Sequence, residues 1–313
     1  MSVATAGTRS SAQAATRRAQ GRLGVVLVAP ALVLFAVFFL FPLASAVFFA
    51  LTSWNGSTAT APFVGTANFR EMLADPAVWH ALGNNLKWVV VGTAAPLLIG
   101  LLLAILLWSG VRGVLAYRLV FFLPFLMPPI AIGIAWGWIY DPVNGWANRF
   151  LEAIGLGGLA RGWLGETKTA LWAVLLAAVW SSTGFVVAIF LAALQNVDLD
   201  MVDAARIDGA NAAQRLWHVV LPQIAPTFVT VTTIILVGGF SVFDIVFIMT
   251  SGGPGDATAV LGTYAYENAF TFSRVGYGTA LALFITVLSL PFVIVLNRVQ
   301  RRLALRGMGG GAS

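Results

Sequence analysis

Cysteine is absent from this sequence, and histidine occurs only twice, at His80 and His218. The first absence excludes a disulfide framework and a thiolate metal site. The phosphate-loop pattern Gly-x-x-x-x-Gly-Lys-Ser/Thr is missing, so the chain has no cradle of its own for ATP. His-Glu-x-x-His and Gly-x-Ser-x-Gly are missing too, which removes two common hydrolase signatures. Charge is scarce: Asp, Glu, Lys and Arg make up 10% of 313 residues, against about 25% in soluble domains. With 59% hydrophobic residues and a mean hydropathy of +0.89, the chain reads as a polytopic membrane protein.

Six apolar runs are expected to span, at about 23–51, 86–108, 119–140, 169–194, 224–250 and 275–296. Pro30 and Pro42 are expected to bend the first, and Pro124, Pro128 and Pro129 to kink or break the third. Residues 1–22 form an acid-free, Arg-bearing tail, 23–302 one membrane domain and 303–313 a second tail. The net charge of +6 does not mark a nucleic-acid binder, because the basic residues gather at span ends. Twelve arginines fall in the N-terminal tail, the segments 109–118 and 203–222 and the C-terminal stretch from Arg298 to Arg306, against six Lys and Arg in the other loops. That bias puts both termini and segment 203–222 in the cytoplasm. His80 and His218 then lie on opposite sides and cannot share a metal.

The segment 203–222 is a polar island between two apolar runs. Asp203, Ala204 and Ala205 open a helical turn, and Gly209 is expected to break or bend it. A second short helix over 211–219 is expected to stop at Leu221-Pro222. Two short helices at an angle suit a docking element or an ordinary connecting loop, and the residues alone leave both open. Asp244 is the most informative polar residue at membrane depth. An ionisable group there is costly, so it serves either as a substrate or gating contact or as a capped residue near a helix end. Gly238-Gly239 would permit an unwound or closely packed backbone beside it. In the fourth span, Trp180, Ser182 and Phe185 could stack on and bond to a sugar, or could simply pack helices. The run Gly252-Gly253-Pro254-Gly255 lacks a phosphate-loop lysine and reads as a turn.

The segment Asp203-Ala204-Ala205, Asp208-Gly209-Ala210, Leu216, Val219, Leu221-Pro222 resembles the Glu-Ala-Ala motif of the membrane subunits of binding-protein-dependent ABC importers. Asp203 stands where Glu is usual and Leu216 where Phe is common. In that family the motif forms coupling helices seated in a cleft of the ATP-hydrolysing subunit. The resemblance implies that Asp203 makes a polar contact there or caps its own helix, and that Gly209 sets the bend. It also implies that Leu216, Trp217, Val219 and Leu221 supply apolar contact.

Further stretches resemble one branch, the maltose-type carbohydrate permeases: 241–258, Leu123 to Pro129, Trp136 to Pro142 with Gly145, Phe63 to Phe69, and Asn84-Asn85. Asn85 departs from the Thr more often found there, and the Gly-Gly-Pro loop points to the "F"-type subunit. Carried over by position, the sugar-contacting candidates are Trp180, Ser182, Phe185, Gly239 and Ser241, with Asp244 added on physical grounds. Gly239 departs by offering backbone alone.

The resemblance thus implies an all-α subunit of six transmembrane helices in a bacterial plasma membrane. It would import a di- or oligosaccharide by ATP-driven alternating access, without catalysis or a bound cofactor of its own. Its partners would be a homologous permease subunit, two ATP-binding subunits using ATP and Mg, an extracytoplasmic sugar-binding protein and membrane lipid. The rivals are the same architecture importing glycerol phosphate or a polyol, and a self-sufficient secondary transporter. The latter calls for several intramembrane carboxylates or an inverted repeat.

Overall fold

The computed structural model describes residues 27–110 and 113–309. The expected tail 1–22, the start of the first span and Arg112 lie outside the described residues. Regular structure among the described residues is helical, apart from a single bridge between Thr52 and Phe63. Five helices are long and apolar enough to span, Leu27–Ala50 (α1), Pro76–Trp108 (α3), Ala170–Leu194 (α7), Ala212–Phe240 (α9) and the helix containing Val275–Leu303, whose full extent is Val275–Gly309 (α12). Between α1 and α3 lies the short helix Ala67–Ala74 (α2). A sixth span is possible if the bent pair Val114–Leu126 (α4) and Pro129–Ile139 (α5) is one unit. Shorter elements are Trp146–Ala153 (α6), Leu199–Ile207 (α8), Asp244–Thr250 (α10) and Leu261–Tyr266 (α11).

The proline expectations fare differently from one another. In the third run the chain turns by 109° between α4 and α5, because Pro128 and Pro129 offer no N–H to continue α4. Pro42 and Pro222 do not break their helices. Each is the second residue after a π-turn, Ala36–Leu40 before Pro42 and Leu216–Val220 before Pro222. In an α-helix a proline ring collides with the carbonyl four residues back. A wider π-turn, with Leu221 N–H bonded to Leu216 O, moves that carbonyl aside. The helix expected to stop at Leu221-Pro222 therefore runs on to Phe240. The fifth run is broken elsewhere, at 241–243, between α9 and α10.

Packing centres on α7, the most deeply buried of the long helices, with 56% of its apolar window buried. Val186, Phe190 and Leu194 of α7 meet Leu97 and Ala104 of α3 and Val231 of α9. A second cluster joins Val174 and Ala177 of α7 to Trp88, Ile132, Val246 and Val260. In a bilayer such contacts stabilise by close packing rather than by leaving water. No residue of the apolar window of α1 is buried, so most of that helix presents its side chains outward, and its C-terminal part packs on α12. Both α2 and α11 pack on α12 at an end rich in loops, while α8 packs on residues 216–220 of α9.

Candidate functional site

The break after Phe240 opens a cavity of about 410 Å³, lined by Trp88 of α3, Ile132 of α5, Ser181 and Ser182 of α7, and Gly238, Gly239, Ser241 and Asp244. Three hydroxyls mark its wall. Ser181 and Ser182 donate to Ala178 O at 3.0 and 2.8 Å, and Ser241 donates to Val237 O at 3.0 Å. Each hydroxyl proton is thus spent on its own helix, which leaves oxygen lone pairs to accept from a ligand. Asp244 is exposed at the first turn of α10, not inside a continuous span as expected. A helix start favours negative charge, and the break spares the carboxylate the cost of burial in an unbroken apolar helix. The lining holds one carboxylate and no Lys or Arg.

Ser182, Gly239, Ser241 and Asp244 are brought together there, whereas Trp180 and Phe185 are not in the lining. Two residues along an α-helix is a rotation of about 200°, so Trp180 cannot share the face of Ser182. It meets Trp136 edge to face, with ring centres 5.7 Å apart. Phe185 leans toward α4, its ring 5.0 Å from that of Phe125. Gly239 is a packing residue as well as a lining one. A Cβ there would sit 3.3 Å from the Val89 Cα, a tight contact that would push α9 slightly away from α3.

Sequence reasoning missed the function of Asn84 and Asn85, which are 1% and 0% exposed. Asn84 donates to Ala257 O at 3.1 Å and Ala259 O at 2.9 Å, and Asn85 to Gly239 O at 3.3 Å and Phe240 O at 3.1 Å. Two amides opening a long apolar run were the available signal, since buried amides need partners. Beside them, 251–258 forms the expected turn, with positive φ at Gly252 and Gly255 and a cis Gly253–Pro254 bond. Asp75 caps α3 through Ala77 N at 2.9 Å and accepts from Tyr264 and Tyr277 hydroxyls at 2.7 and 2.9 Å. Burial opposes its ionisation, but the two hydroxyls, the Ala77 N–H and the Arg274 charge prevail and hold its carboxyl below the usual range. Arg274 also pairs with Glu71.

At the other end, α8 starts on Asp198, whose carboxylate accepts from Asp200 N and Met201 N. It stops at Gly209, with φ +86°. Ala210 N bonds to Ala205 O and Gly209 N to Arg206 O, each at 3.0–3.1 Å, the pairing of a glycine-ended Schellman stop. Asn211 and Gln214 then form a reciprocal capping box that starts α9. Asp203, Ala204 and Asp208 are exposed, Ala205 and Ala210 half-buried. Of the expected apolar contacts, Leu216 and Leu221 pack on the chain's own core and Val219 is half-buried. Pro222 is exposed. Trp217 is 67% exposed, and Ile207, which sequence reasoning passed over, is 86% exposed.

The model of the family described as binding-protein-dependent transport system inner membrane component matches residues 96–306. The chain belongs to that family. This inner membrane component is 32% identical to the diacetylchitobiose uptake system permease protein NgcF of Streptomyces coelicolor, covering 90% of this chain and 82% of NgcF. It is 28% identical to the trehalose/maltose transport system permease protein MalF of Thermococcus litoralis, covering 90% and 95%. A chain from a bacterial ABC transporter that imports the acidic polysaccharide alginate superposes with a TM-score of 0.77 at 21% identity, over 93% of this chain and 99% of that one. At that identity the likeness establishes the fold alone, an all-helical one.

Proposed function

We propose that this chain is the non-catalytic transmembrane subunit of a binding-protein-dependent ABC importer for a neutral di- or oligosaccharide. The observation that carries the sugar reading is the cavity at the α9–α10 break. It sets the hydroxyls of Ser181, Ser182 and Ser241 and the Asp244 carboxylate against Trp88 and Ile132. Hydrogen-bond acceptors facing an apolar, aromatic wall suit a ring with polar edges and apolar faces. A lining with a carboxylate and no cation disfavours glycerol phosphate. The relatives named for uptake of diacetylchitobiose and of trehalose/maltose support the same class.

Both termini and α8 face the cytoplasm of a bacterial plasma membrane, in line with the arginine bias. A homologous permease completes the cavity, a sugar-binding protein docks at the loop end, and two ATPase subunits engage the α8 segment. Those ATPases bind ATP and Mg; this chain binds neither. Closure of the ATPases then moves α8, and α9 carries the motion to the cavity, since one helix joins the two.

The test is reconstitution of the tagged complex in lipid with its binding protein and a panel of neutral oligosaccharides. ATP hydrolysis that rises with one loaded binding protein, together with uptake of that sugar, is expected. Solute movement by the purified chain with no ATPase attached would overturn the assignment.

A further inference from the structure

A helix that ends inside a membrane domain leaves its last carbonyls without partners, and no bulk water is there to satisfy them. The break after Phe240 does this to α9. One side chain answers it from another span. Asn85 of α3 donates through Nδ2 to Gly239 O at 3.3 Å and Phe240 O at 3.1 Å, while its Oδ1 accepts from Leu261 N at 2.7 Å. Leu261 is the first residue of α11. The partners fix the orientation of the amide, because the reverse would face its oxygen to two carbonyls and its amine to an N–H. A single rigid plane therefore sets the distance between the end of α9 and the start of α11.

The neighbouring residue extends the tie. Asn84 donates to Ala257 O and Ala259 O, in the stretch between the Gly-Pro turn and Leu261. Immediately after the α9 carbonyls come Ser241 and Asp244, both in the cavity wall. A displacement of loop 251–260 thus pulls on Leu261, and through Asn85 on the wall.

We propose that Asn85 is a positioning residue through which the 251–260 loop sets the shape of the cavity wall. This rests on the transport reading above and adds the route by which an event at the loop reaches the solute. Breaking the route would strand a buried donor or acceptor, so the loop and the break move together.

The experiment uses the full complex in lipid with Asn85→Leu and Asn85→Asp. Hydrogen exchange at the Leu261 amide is read alongside ATPase activity titrated with sugar-loaded binding protein. Asn85→Leu should speed Leu261 exchange at least tenfold and lower the maximal stimulated rate about tenfold, with half-saturation by binding protein moving less than twofold. Asn85→Asp keeps the acceptor for Leu261 but sets an oxygen against the α9 carbonyls, so protection should persist while stimulation falls. It decides the matter if Asn85→Leu does not assemble. Stimulation at wild-type level in Asn85→Asp, or in an Asn85→Leu complex whose Leu261 exchanges freely, overturns the proposal. So does unchanged Leu261 exchange in Asn85→Leu, or a shift confined to half-saturation, which would limit the effect of Asn85 to binding-protein docking. A wild-type complex that no loaded binding protein stimulates would instead overturn the transport reading, a different result.

Discussion

At the loop end, Asn85 reaches 154 residues along the chain to Gly239, Asp75 reaches 189 to Tyr264, and Glu71 reaches 203 to Arg274. At the α8 end the ties are short. Asn211 and Gln214 cap each other across three residues, Arg215 bonds to Ala210 O across five, and Asp198 N to Gln223 across 25. One end is cross-braced by distant parts of the chain, and the other is a helix–stop–helix unit whose hydrogen bonds are local, which rests on the core through Leu216 and Leu221 and leaves Ile207 and Trp217 bare. A braced end holds the cavity's geometry, while a unit capped by its own residues can shift as one piece when a partner pulls it. On the proposed function, this difference in wiring would give shape to one end and movement to the other.

Substitutions at the two ends should therefore fail differently. The largest effect is expected in the cavity, where Asp244→Ala should raise half-saturation for sugar roughly tenfold to a hundredfold, the range for a lost hydrogen bond to a charged group, read in transport assays. Unchanged affinity would remove Asp244 from the solute's contacts. Next comes Gly209→Val. A branched side chain at φ +86° costs about 1–2 kcal/mol, and the Cβ itself meets open space. Stimulated ATPase should fall about tenfold while Leu261 exchange stays protected; loss of that protection would show that the ends are not separate. At the braced end, Asp75→Ala removes an N-cap at a cost of about 1 kcal/mol, measurable as a lower unfolding temperature. Because the Asp75 carboxyl sits below its usual range when folded, its contribution is full above the unfolded value and is lost as pH falls through the folded one. Asp75→Asn should flatten that acid-side decline. Smallest on folding is Ile207→Ser, within about 0.5 kcal/mol for an exposed site, although copurification of the ATPase subunits should drop sharply.

Local chemistry was legible in the residues. Apolar runs located the spans, adjacent prolines at 128 and 129 foretold the 109° turn, and Gly209 foretold the helix stop. What escaped was long-range or rotational. The break at 241–243 has no proline, and its carbonyls are satisfied by Asn85 from another span. Trp180 and Ser182 are neighbours in sequence yet lie on different faces of α7, which a cluster read without its helical phase conceals. Pro222 looked like a stop because the accommodating π-turn leaves no local composition signal. Ile207 was passed over because an isolated apolar residue beside a motif looks ordinary until its exposure is known.

The π-turn at Leu216–Val220 has a geometric effect beyond making room for Pro222. A π-turn holds one residue more than the α-turn it replaces, and one residue is about 100° of helical rotation. It is therefore an angular offset between the α8 segment and the cavity-facing stripe of α9. Deleting one residue from 216–220, together with Pro222→Ala to remove the ring that a plain α register would not accommodate, would turn Ile207 by about a quarter revolution relative to Gly239. Matching the α8 segment to an ATPase cleft while keeping the cavity face in place is thus a question of phase as well as of sequence, and five residues set it.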